Sequence, residues 1–295
     1  MSSLVKEAAM RRLIVTADDF GLAIPVNEAV ERAHLHGILS TASLMVAAPE
    51  TADAVERARH LPKLRVGLHV VLVNGRPALA AERVPDLVDS QGRFAANLFA
   101  AGVRYFFKPG VRRQLEDEIR EQFRLFSQTG LQLDHANAQN HMHVHPTVLS
   151  LMMKVGREFG LRAIRIPNEP FGPAWRATGT HFGSRCAQSI FLSPWLALMK
   201  SRVRANGFAA NDYVFGMIDS GHMDAQQLRG FIAQLPSGVS EIYSHPATAG
   251  WAQADPPDAD YAGEFAALID RSVIADLQTS NITPASFSDL AHDGV

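Results

Sequence analysis

Two adjacent carboxylates, Asp18 and Asp19, follow an apolar run of strand type at residues 13–17, and Gly21 begins a turn. Carboxylates at the end of a strand can divide two tasks, because one can ligate a cation while the other accepts a proton. Neighbouring like charges disfavour each other, so a nearby cation is the simplest way of keeping both ionised. The alternative is a polar turn that closes a strand, and the segment alone favours it. Later strand ends that carry histidine shift the balance towards a functional site.

Further chemically capable side chains lie where other predicted strands end. They are His69, Arg165, His245 and the alternating His141, His143 and His145. Alternate residues of an extended segment share a face, and imidazole with carboxylate is a ligand set for Zn²⁺ and its first-row neighbours. A helix that begins at Pro146 would prevent all three alternating histidines from being ligands, so we expect at least one to cap or pack. A lone histidine such as His69 is more often structural.

The periodicity of apolar residues predicts an α/β fold in which strands and helices alternate. Strands are predicted at 12–16, 40–46, 64–72, 132–138, 162–166, 213–217, 239–244 and 283–287, and helices at 25–36, 51–60, 111–129, from 146, at 224–235 and at 259–278. Alternation implies parallel strands, and about eight of them without a Gly-x-Gly-x-x-Gly fingerprint favour a (β/α) barrel, complete or incomplete. A barrel brings the carboxyl ends of its strands to one rim, where catalytic groups lie.

The chain is predicted to form a single domain over 1–295, with a loop or cap near 77–110 and an insertion near 171–207 that contains an apolar helix. A loop of that length indicates a functional role. The insertion carries an apolar stretch at 190–199 followed by three basic residues, which resembles a segment able to lie at a membrane surface. A core-facing helix with a solvated basic end is an equal alternative.

Composition limits the class of protein. The 295 residues are 47% hydrophobic and 20% charged, which is ordinary globular composition, and the net charge of -2 gives no electrostatic case for binding nucleic acid. A single cysteine, Cys186, excludes an internal disulfide and suits a reducing compartment. The N-terminal residues lack the build of a secretion signal, and no apolar run reaches the roughly 18 residues of a membrane span. We expect a soluble, cytoplasmic protein.

Four separated motifs resemble those of the YdjC-like carbohydrate deacetylases, which include the diacetylchitobiose deacetylases. Residues 16–22 with Asn27 look like the opening motif, residues 67–69 and 244–247 look like two later motifs, and Arg165 lies in a matching Arg-Ile-Pro context. The hopanoid-biosynthesis (HpnK) branch looks most similar, because its Asn-Ala-x-x-His-x-His-x-His-Pro segment resembles residues 137–146. Residues 211–216 also look like that branch.

The resemblance implies a deformed (β/α) barrel of about seven or eight parallel strands, polysaccharide-deacetylase-like, that hydrolyses the N-acetyl group of an amino sugar with one divalent metal ion. Zinc is the first expectation, with Mg, Mn and Co as alternatives. The residue roles that it implies are Asp19 and His69 as metal ligands, Asp18 as general base, Arg165 as the group that orients a catalytic carboxylate, His245 as the acid for the leaving amine, and Asn27 and Asp212 as substrate-binding residues.

One position departs from the family pattern. The third metal ligand of family members is usually a histidine seven residues before the proline, and here that residue is Gln139. A neutral amide oxygen is a weaker ligand for zinc than imidazole. Gln139 could ligate directly or through water, His141 or His143 could substitute, or the protein could be impaired. The sequence leaves these explanations open.

The hopanoid branch implies a sugar carried on a glycosylated hopanoid lipid. The expected partners are therefore an N-acetylated amino sugar or glycolipid, a membrane surface at the inner membrane, and a second copy in a homodimer, with no nucleic acid. Two other readings are another metal hydrolase on the same barrel and a non-catalytic or impaired sugar- or lipid-binding relative. Gln139 favours the latter, whereas a phosphoesterase should show more basic residues at the rim.

Overall fold

A curved, wholly parallel sheet forms the centre of the molecule. The computed structural model describes residues 10–94, 109–248 and 258–292. The strands are β1 (Arg11–Phe20), β2 (Thr41–Leu44), β3 (Arg65–Val70), β4 (Leu133–Ala138), β5 (Tyr213–Phe215), β6 (Gly238–Ser244) and β7 (Thr283–Pro284). Their order is β4-β3-β2-β1-β6-β5, and the short β7 pairs with the beginning of β1, on the side opposite β6 and before the pairing with β2 starts. Every pairing is parallel, as the alternation of elements predicts.

An irregular segment, residues 162–168, joins the two edges of this sheet. On one side the backbone N–H of Arg165 donates to the carbonyl of Ala136 in β4 at 3.2 Å. On the other side the N–H of Val214 in β5 donates to the carbonyl of Asn168 at 3.0 Å. The barrel is therefore closed by a thin wall, which confirms the predicted deformed barrel.

The strand predicted at 162–166 is present only as single bridging pairs at Ala163 and Ile164. Proline cannot donate to a ladder, and Pro167 follows directly. The N–H of Ile166 donates instead to the side chain of Asn211 at 2.8 Å. This segment is therefore an irregular coil held by hydrogen bonds rather than a strand.

The helices surround the barrel and close the core over β1 to β6. They are α1 (Ile24–His36), α2 (Thr51–His60), α3 (Pro109–Gln128), α4 (Pro146–Glu158), α5 (Phe171–Thr178), α6 (Phe182–Ala205), α7 (Ala225–Gln234), α8 (Tyr261–Leu268), α9 (Arg271–Thr279) and α10 (Phe287–His292), with 3₁₀ turns at Ala81–Arg83 and Gln139–Val144. The helix predicted at 259–278 is two helices, because the Asp270 side chain accepts the N–H groups of Ser272 and Val273 and so caps a new helix.

The predicted cap is described only in part. Residues 77–94 lie against α3, where the buried Glu118 accepts the N–H groups of Ala78 at 2.8 Å and Leu79 at 3.0 Å. The remainder of the predicted cap, residues 95–108, lies outside the described residues.

The predicted insertion consists of α5 and α6. Leu196 and Met199 point into the core, with exposed fractions of 1% and 0%, whereas Ile190, Phe191 and Leu198 are exposed. The apolar stretch of α6 therefore has both a core face and a solvent face. The core-facing helix and the surface-lying segment, which the sequence offered as alternatives, are two sides of one helix. In the part of the chain that the structure describes, no helix is long and apolar enough to cross a membrane.

Candidate active site

Asp18 and Asp19 lie in a bulge at the carboxyl end of β1. The register of β1 against β2 shifts between Ala17 and Phe20, and Asp19 has a left-handed backbone with φ 62°. Consecutive side chains of a regular strand face opposite sides, whereas a bulge with a left-handed residue re-aims them. Aspartate tolerates this conformation better than most residues. The bulge brings both carboxylates towards His69 at the end of β3.

Asn137, at the end of β4, determines which nitrogen of His69 carries a proton. Its Nδ2 donates to Asp18 Oδ1 at 3.2 Å, so its Oδ1 must be the atom that lies 2.7 Å from His69 Nδ1. A carbonyl oxygen can only accept, which places the proton of neutral His69 on Nδ1. His69 Nε2 is then a bare acceptor.

That bare nitrogen faces another acceptor. His69 Nε2 lies 3.3 Å from Asp19 Oδ1, a buried oxygen that no aligned donor of the described residues reaches. Two ligands of one tetrahedral zinc ion are about 3.4 Å apart, so the pair fits a shared divalent cation. Burial lowers the pKa of His69, but the charges of Asp18 and Asp19 outweigh it and raise that pKa. A positive charge between His69 Nε2 and Asp19 Oδ1 is therefore favoured, whether a bound cation or a proton on His69 supplies it.

A fully buried guanidinium joins three parts of the barrel. Arg165 donates from Nη1 and Nη2 to the two oxygens of Asp18, at 2.5 and 3.0 Å, and from Nε and Nη2 to those of Glu241, at 3.0 and 2.7 Å. Thr16 donates to Glu241 Oε1 at 2.6 Å, and the Tyr243 ring lies against the guanidinium, whose carbon is 4.9 Å from the ring centroid. Burial raises the pKa of Asp18, but the charge of the Arg165 guanidinium outweighs it and holds that pKa well below its usual range.

The three alternating histidines do not share a face. They enter the 3₁₀ turn after β4, where residues 140 and 141 have left-handed backbones with φ 49° and 53°. His141 Nε2 lies 3.1 Å from the Tyr243 hydroxyl, and His143 Nε2 donates to the carbonyl of Arg165 at 3.1 Å. His145 caps α4, where its Nδ1 accepts the N–H of Thr147 at 3.2 Å. The extended geometry assumed from the sequence is wrong, and the expectation that one histidine caps is confirmed.

Buried polar atoms without hydrogen-bond partners collect at this rim. Of the seven buried side-chain polar atoms without a partner in the described residues, five lie on rim segments: Asp19 Oδ1, Gln139 Oε1, His141 Nδ1, His143 Nδ1 and Ser244 Oγ. Burial lowers the pKa of His141 to about 3 and that of His143 well below its usual value, so both are neutral. Buried unsatisfied groups on this scale indicate an ion, water or ligand.

The histidine, cysteine, aspartate and glutamate side chains of the described ranges form no group of three that could hold a metal ion. Asp19 and His69 form a pair of such side chains, 3.3 Å apart. Gln139 adds a buried amide oxygen on the turn after β4 that has no partner among the described residues.

His245 lies half-buried beyond the end of β6. Its Nδ1 is 3.0 Å from Ser220 Oγ, and its backbone N–H donates to the buried Glu264 at 2.6 Å. Burial raises the pKa of Asp19, but the His69 imidazole and then the charge of His245 outweigh it and lower that pKa. His245 is thus within electrostatic reach of the carboxylates.

Comparison with known proteins gives a consistent relationship. The family of YdjC-like proteins matches residues 12–279. This chain belongs to the YdjC-like family. It is 36% identical over 151 residues to the carbohydrate deacetylase of Brevibacillus brevis, a match that covers 50% of this chain and 56% of that protein. It is 34% identical over 177 residues to the carbohydrate deacetylase of Vibrio cholerae, which covers 59% of this chain and 68% of that protein.

A solved structure shares the fold over nearly the whole length. A protein of Enterococcus faecalis named for cellobiose-phosphate cleavage superimposes with a TM-score of 0.71 at 21% identity, over 95% of this chain and 99% of that one. At that identity the likeness concerns the fold alone.

Two residues expected to bind substrate in this YdjC-like protein have other surroundings. Asn27 is fully buried, where it accepts the N–H of Gly21 at 2.8 Å and donates to Glu50 and Asp53, so it holds the turn after β1. Asp212 accepts the N–H of Val239 at 3.1 Å at the beginning of β6, about 20 Å along the strand from the rim. The substrate-binding role of these two residues stays a prediction, and the contacts that the structure gives them are structural.

The sequence analysis did not single out Glu241, Tyr243, Ser43 or Asn137 as site residues. A usable signal was present, because Glu241 and Tyr243 alternate with His245 along one extended segment and must share its face. A carboxylate inside an otherwise apolar strand needs a buried cationic partner, and Arg165 was available.

We predict that Glu241→Gln lowers the free energy of unfolding by about 3 kcal/mol, because it removes one partner from a buried ion pair. Urea denaturation of the metal-free protein measures it. Glu158→Gln is the matched control, since Glu158 pairs with Arg120 at the surface, and it should change stability by less than about 1 kcal/mol. Equal effects of the two substitutions would show that the buried pair does not stabilise the barrel.

Proposed function

We propose that this protein is a metal-dependent hydrolase that removes the N-acetyl group from an amino sugar. The observation that carries the proposal is the facing pair of acceptors, Asp19 Oδ1 and His69 Nε2, 3.3 Å apart and oriented by Asn137. The carbohydrate deacetylases among its relatives support the substrate class. Carboxylate and imidazole favour zinc, with Mg, Mn and Co as the alternatives for the test.

In this proposal Asp19 and His69 hold the cation, and Gln139 or a neighbouring imidazole completes the ligand set. A bound divalent cation lowers the pKa of water, polarises a carbonyl and stabilises developing negative charge. Asp18 lies beside the cation ligands and accepts the proton of the attacking water. Its carboxylate already accepts two hydrogen bonds from Arg165 and one from Asn137, which leaves about one of its four acceptor positions open.

The depressed pKa of Asp18 keeps it ionised at neutral pH, which is the form that can accept a proton. Arg165 fixes the plane of this carboxylate through both oxygens. His245 donates a proton to the departing amine from Nε2, because Nδ1 is engaged by Ser220. Glu264 accepts the backbone N–H of His245 and of Gly221, so it holds the two loops that bring this imidazole to the mouth.

We predict that His69→Ala loses bound zinc and, with it, at least roughly 10²-fold of the acetate-release rate on a short N-acetylglucosamine oligomer. Elemental analysis and an acetate assay measure the two quantities on the same preparation. His60→Ala is the matched control, because His60 is an exposed residue of α2 and should change neither. Full zinc occupancy in His69→Ala would remove His69 from the site, and a wild-type protein that binds metal and sugar without releasing acetate would be a sugar-binding relative.

We also predict that Gln139→His tightens zinc binding by roughly tenfold, because imidazole replaces a neutral amide oxygen as a ligand. Chelator competition measures the dissociation constant. Gln128→His should leave it unchanged, since Gln128 is exposed at the end of α3, before β4 begins and so at the end of the barrel opposite the rim. If Gln139→His has no effect, His141→Ala and His143→Ala will identify the third ligand, as the variant that loses zinc.

We further propose that the amino sugar is carried on a lipid, such as a glycosylated hopanoid. The support is the solvent face of α6, where Ile190, Phe191 and Leu198 are 62%, 83% and 59% exposed. Between residues 179 and 199 the only charged side chain is Arg185, and it is buried in ion pairs. An apolar face with basic residues beyond its end is typical of helices that lie at a lipid surface.

We predict that the double variant Ile190→Ser and Phe191→Ser binds vesicles of anionic phosphatidylglycerol roughly tenfold more weakly, because two large apolar side chains no longer enter the lipid. Its rate should fall on a lipid-linked amino sugar and stay unchanged on the free sugar. Leu35→Ser, at an exposed position of α1, is the control. Substitutions of Leu196 and Met199 would test only stability, because both are core residues. Equal loss on both substrates would contradict lipid contact, and loss of a dimer in sedimentation would assign the face to a second copy.

A further inference from the structure

A chain of buried polar side chains runs from the lower part of the barrel to the candidate site. Asp134 Oδ2 lies 2.9 Å from His135 Nδ1, His135 Nε2 lies 3.1 Å from Ser43 Oγ, and Ser43 Oγ accepts from Asn137 Nδ2 at 2.9 Å. All four residues are at most 2% exposed. The chain ends on the two groups that Asn137 joins, Asp18 and His69.

The direction of every hydrogen bond in this chain is determined by the carboxylates at its ends. Burial raises the pKa of Asp134, but its hydrogen bond with His135 outweighs it and lowers that pKa, so Asp134 is ionised and accepts from Nδ1. His135 Nε2 is then the acceptor of the Ser43 hydroxyl. Ser43 accepts in turn from Asn137, whose second N–H donates to Asp18. No orientation of the Asn137 amide other than the observed one satisfies both neighbours.

The packing around His135 keeps the chain in place. The ring of His135 stacks on Phe287, with centroids 4.4 Å apart. On its other side is Gly67 in β3, where a Cβ atom would come within 2.4 Å of the imidazole. A glycine at 67 therefore lets an imidazole cross the barrel interior to reach Ser43.

We propose that Asp134, His135, Ser43 and Asn137 are positioning residues that fix the tautomer and orientation of His69, so that its Nε2 stays aimed beside Asp19. Hydrogen bonds to the second ring nitrogen of a ligating histidine orient the ring and raise its affinity for metal. An amide does not relay protons, so Asn137 makes this an orienting chain rather than a proton path. The inference rests on the proposed role of His69 as a metal ligand.

The test compares zinc dissociation constants, by chelator competition, of wild type, Ser43→Ala, Ser43→Thr and Ser240→Ala. Ser240 is the matched control, since it is also a fully buried strand serine but its hydroxyl has no partner among the described residues. We expect Ser43→Ala to bind zinc roughly tenfold more weakly, Ser43→Thr to recover affinity through its hydroxyl, and Ser240→Ala to match wild type. Thermal melting of the metal-free forms separates lost orientation from lost folding.

A second pair tests the same link if Ser43→Ala does not fold. Asn137→Leu removes the oxygen that orients His69 and should weaken zinc binding by roughly 10–100-fold, whereas Asn137→Asp keeps that oxygen and should bind at least as tightly as wild type. Wild-type affinity in Asn137→Leu, or equal affinities in Ser43→Ala and Ser240→Ala, would overturn the positioning role while leaving the metal site intact. A wild-type protein that binds no zinc would overturn both the site and the chain.

Discussion

The buried guanidinium of Arg165 is the interaction on which the site depends. A charge inside a barrel is costly unless it is paired and hydrogen-bonded, and Arg165 is both, since it makes four hydrogen bonds to the carboxylates of Asp18 in β1 and Glu241 in β6. The segment that carries Arg165 has only single backbone pairs with its neighbours. The side-chain ion pairs therefore fasten the thin wall of the barrel and, in the same contacts, fix the carboxylate proposed as the base.

The charges around Arg165 also favour a divalent cation. Asp18, Asp19 and Glu241 contribute three negative charges against the single positive charge of Arg165, so the cluster carries two negative charges when its histidines are neutral. The surplus negative charge lies on the side of Asp19, whose Oδ1 has no aligned donor in the part of the chain that the structure describes. One divalent cation beside His69 Nε2 would balance the cluster, whereas a single proton on His69 balances half of it. Electrostatics and hydrogen-bond geometry thus lead to the same position.

The sequence predicted the barrel and most of the rim, because both follow from short-range patterns. Strand periodicity placed Asp18, His69 and His245 at strand ends, and parallel strands brought those ends together. The geometry of residues 139–145 was not predictable in this way, since two left-handed residues replace the extended run that alternation assumes. The partners of Asp18 and His69 were missed for a different reason. Asn137 and Glu241 act through hydrogen bonds to distant strands, and no local periodicity encodes which buried polar residues will meet.

The insertion and the proposed acid are parts of one connected unit. Arg185, near the beginning of α6, donates to Glu169 at 2.6 Å and to Asp219 at 2.8 and 2.6 Å, and Asp219 directly precedes Ser220, the partner of His245 Nδ1. Glu169 also accepts the N–H groups of Gly216 and Met217 in the same loop. The helix that presents the exposed apolar face is therefore anchored to the loop that orients His245. Under the proposed function, a lipid-borne sugar held on α6 would reach the imidazole at a fixed offset, because the buried ion pairs leave this connection little freedom to shift.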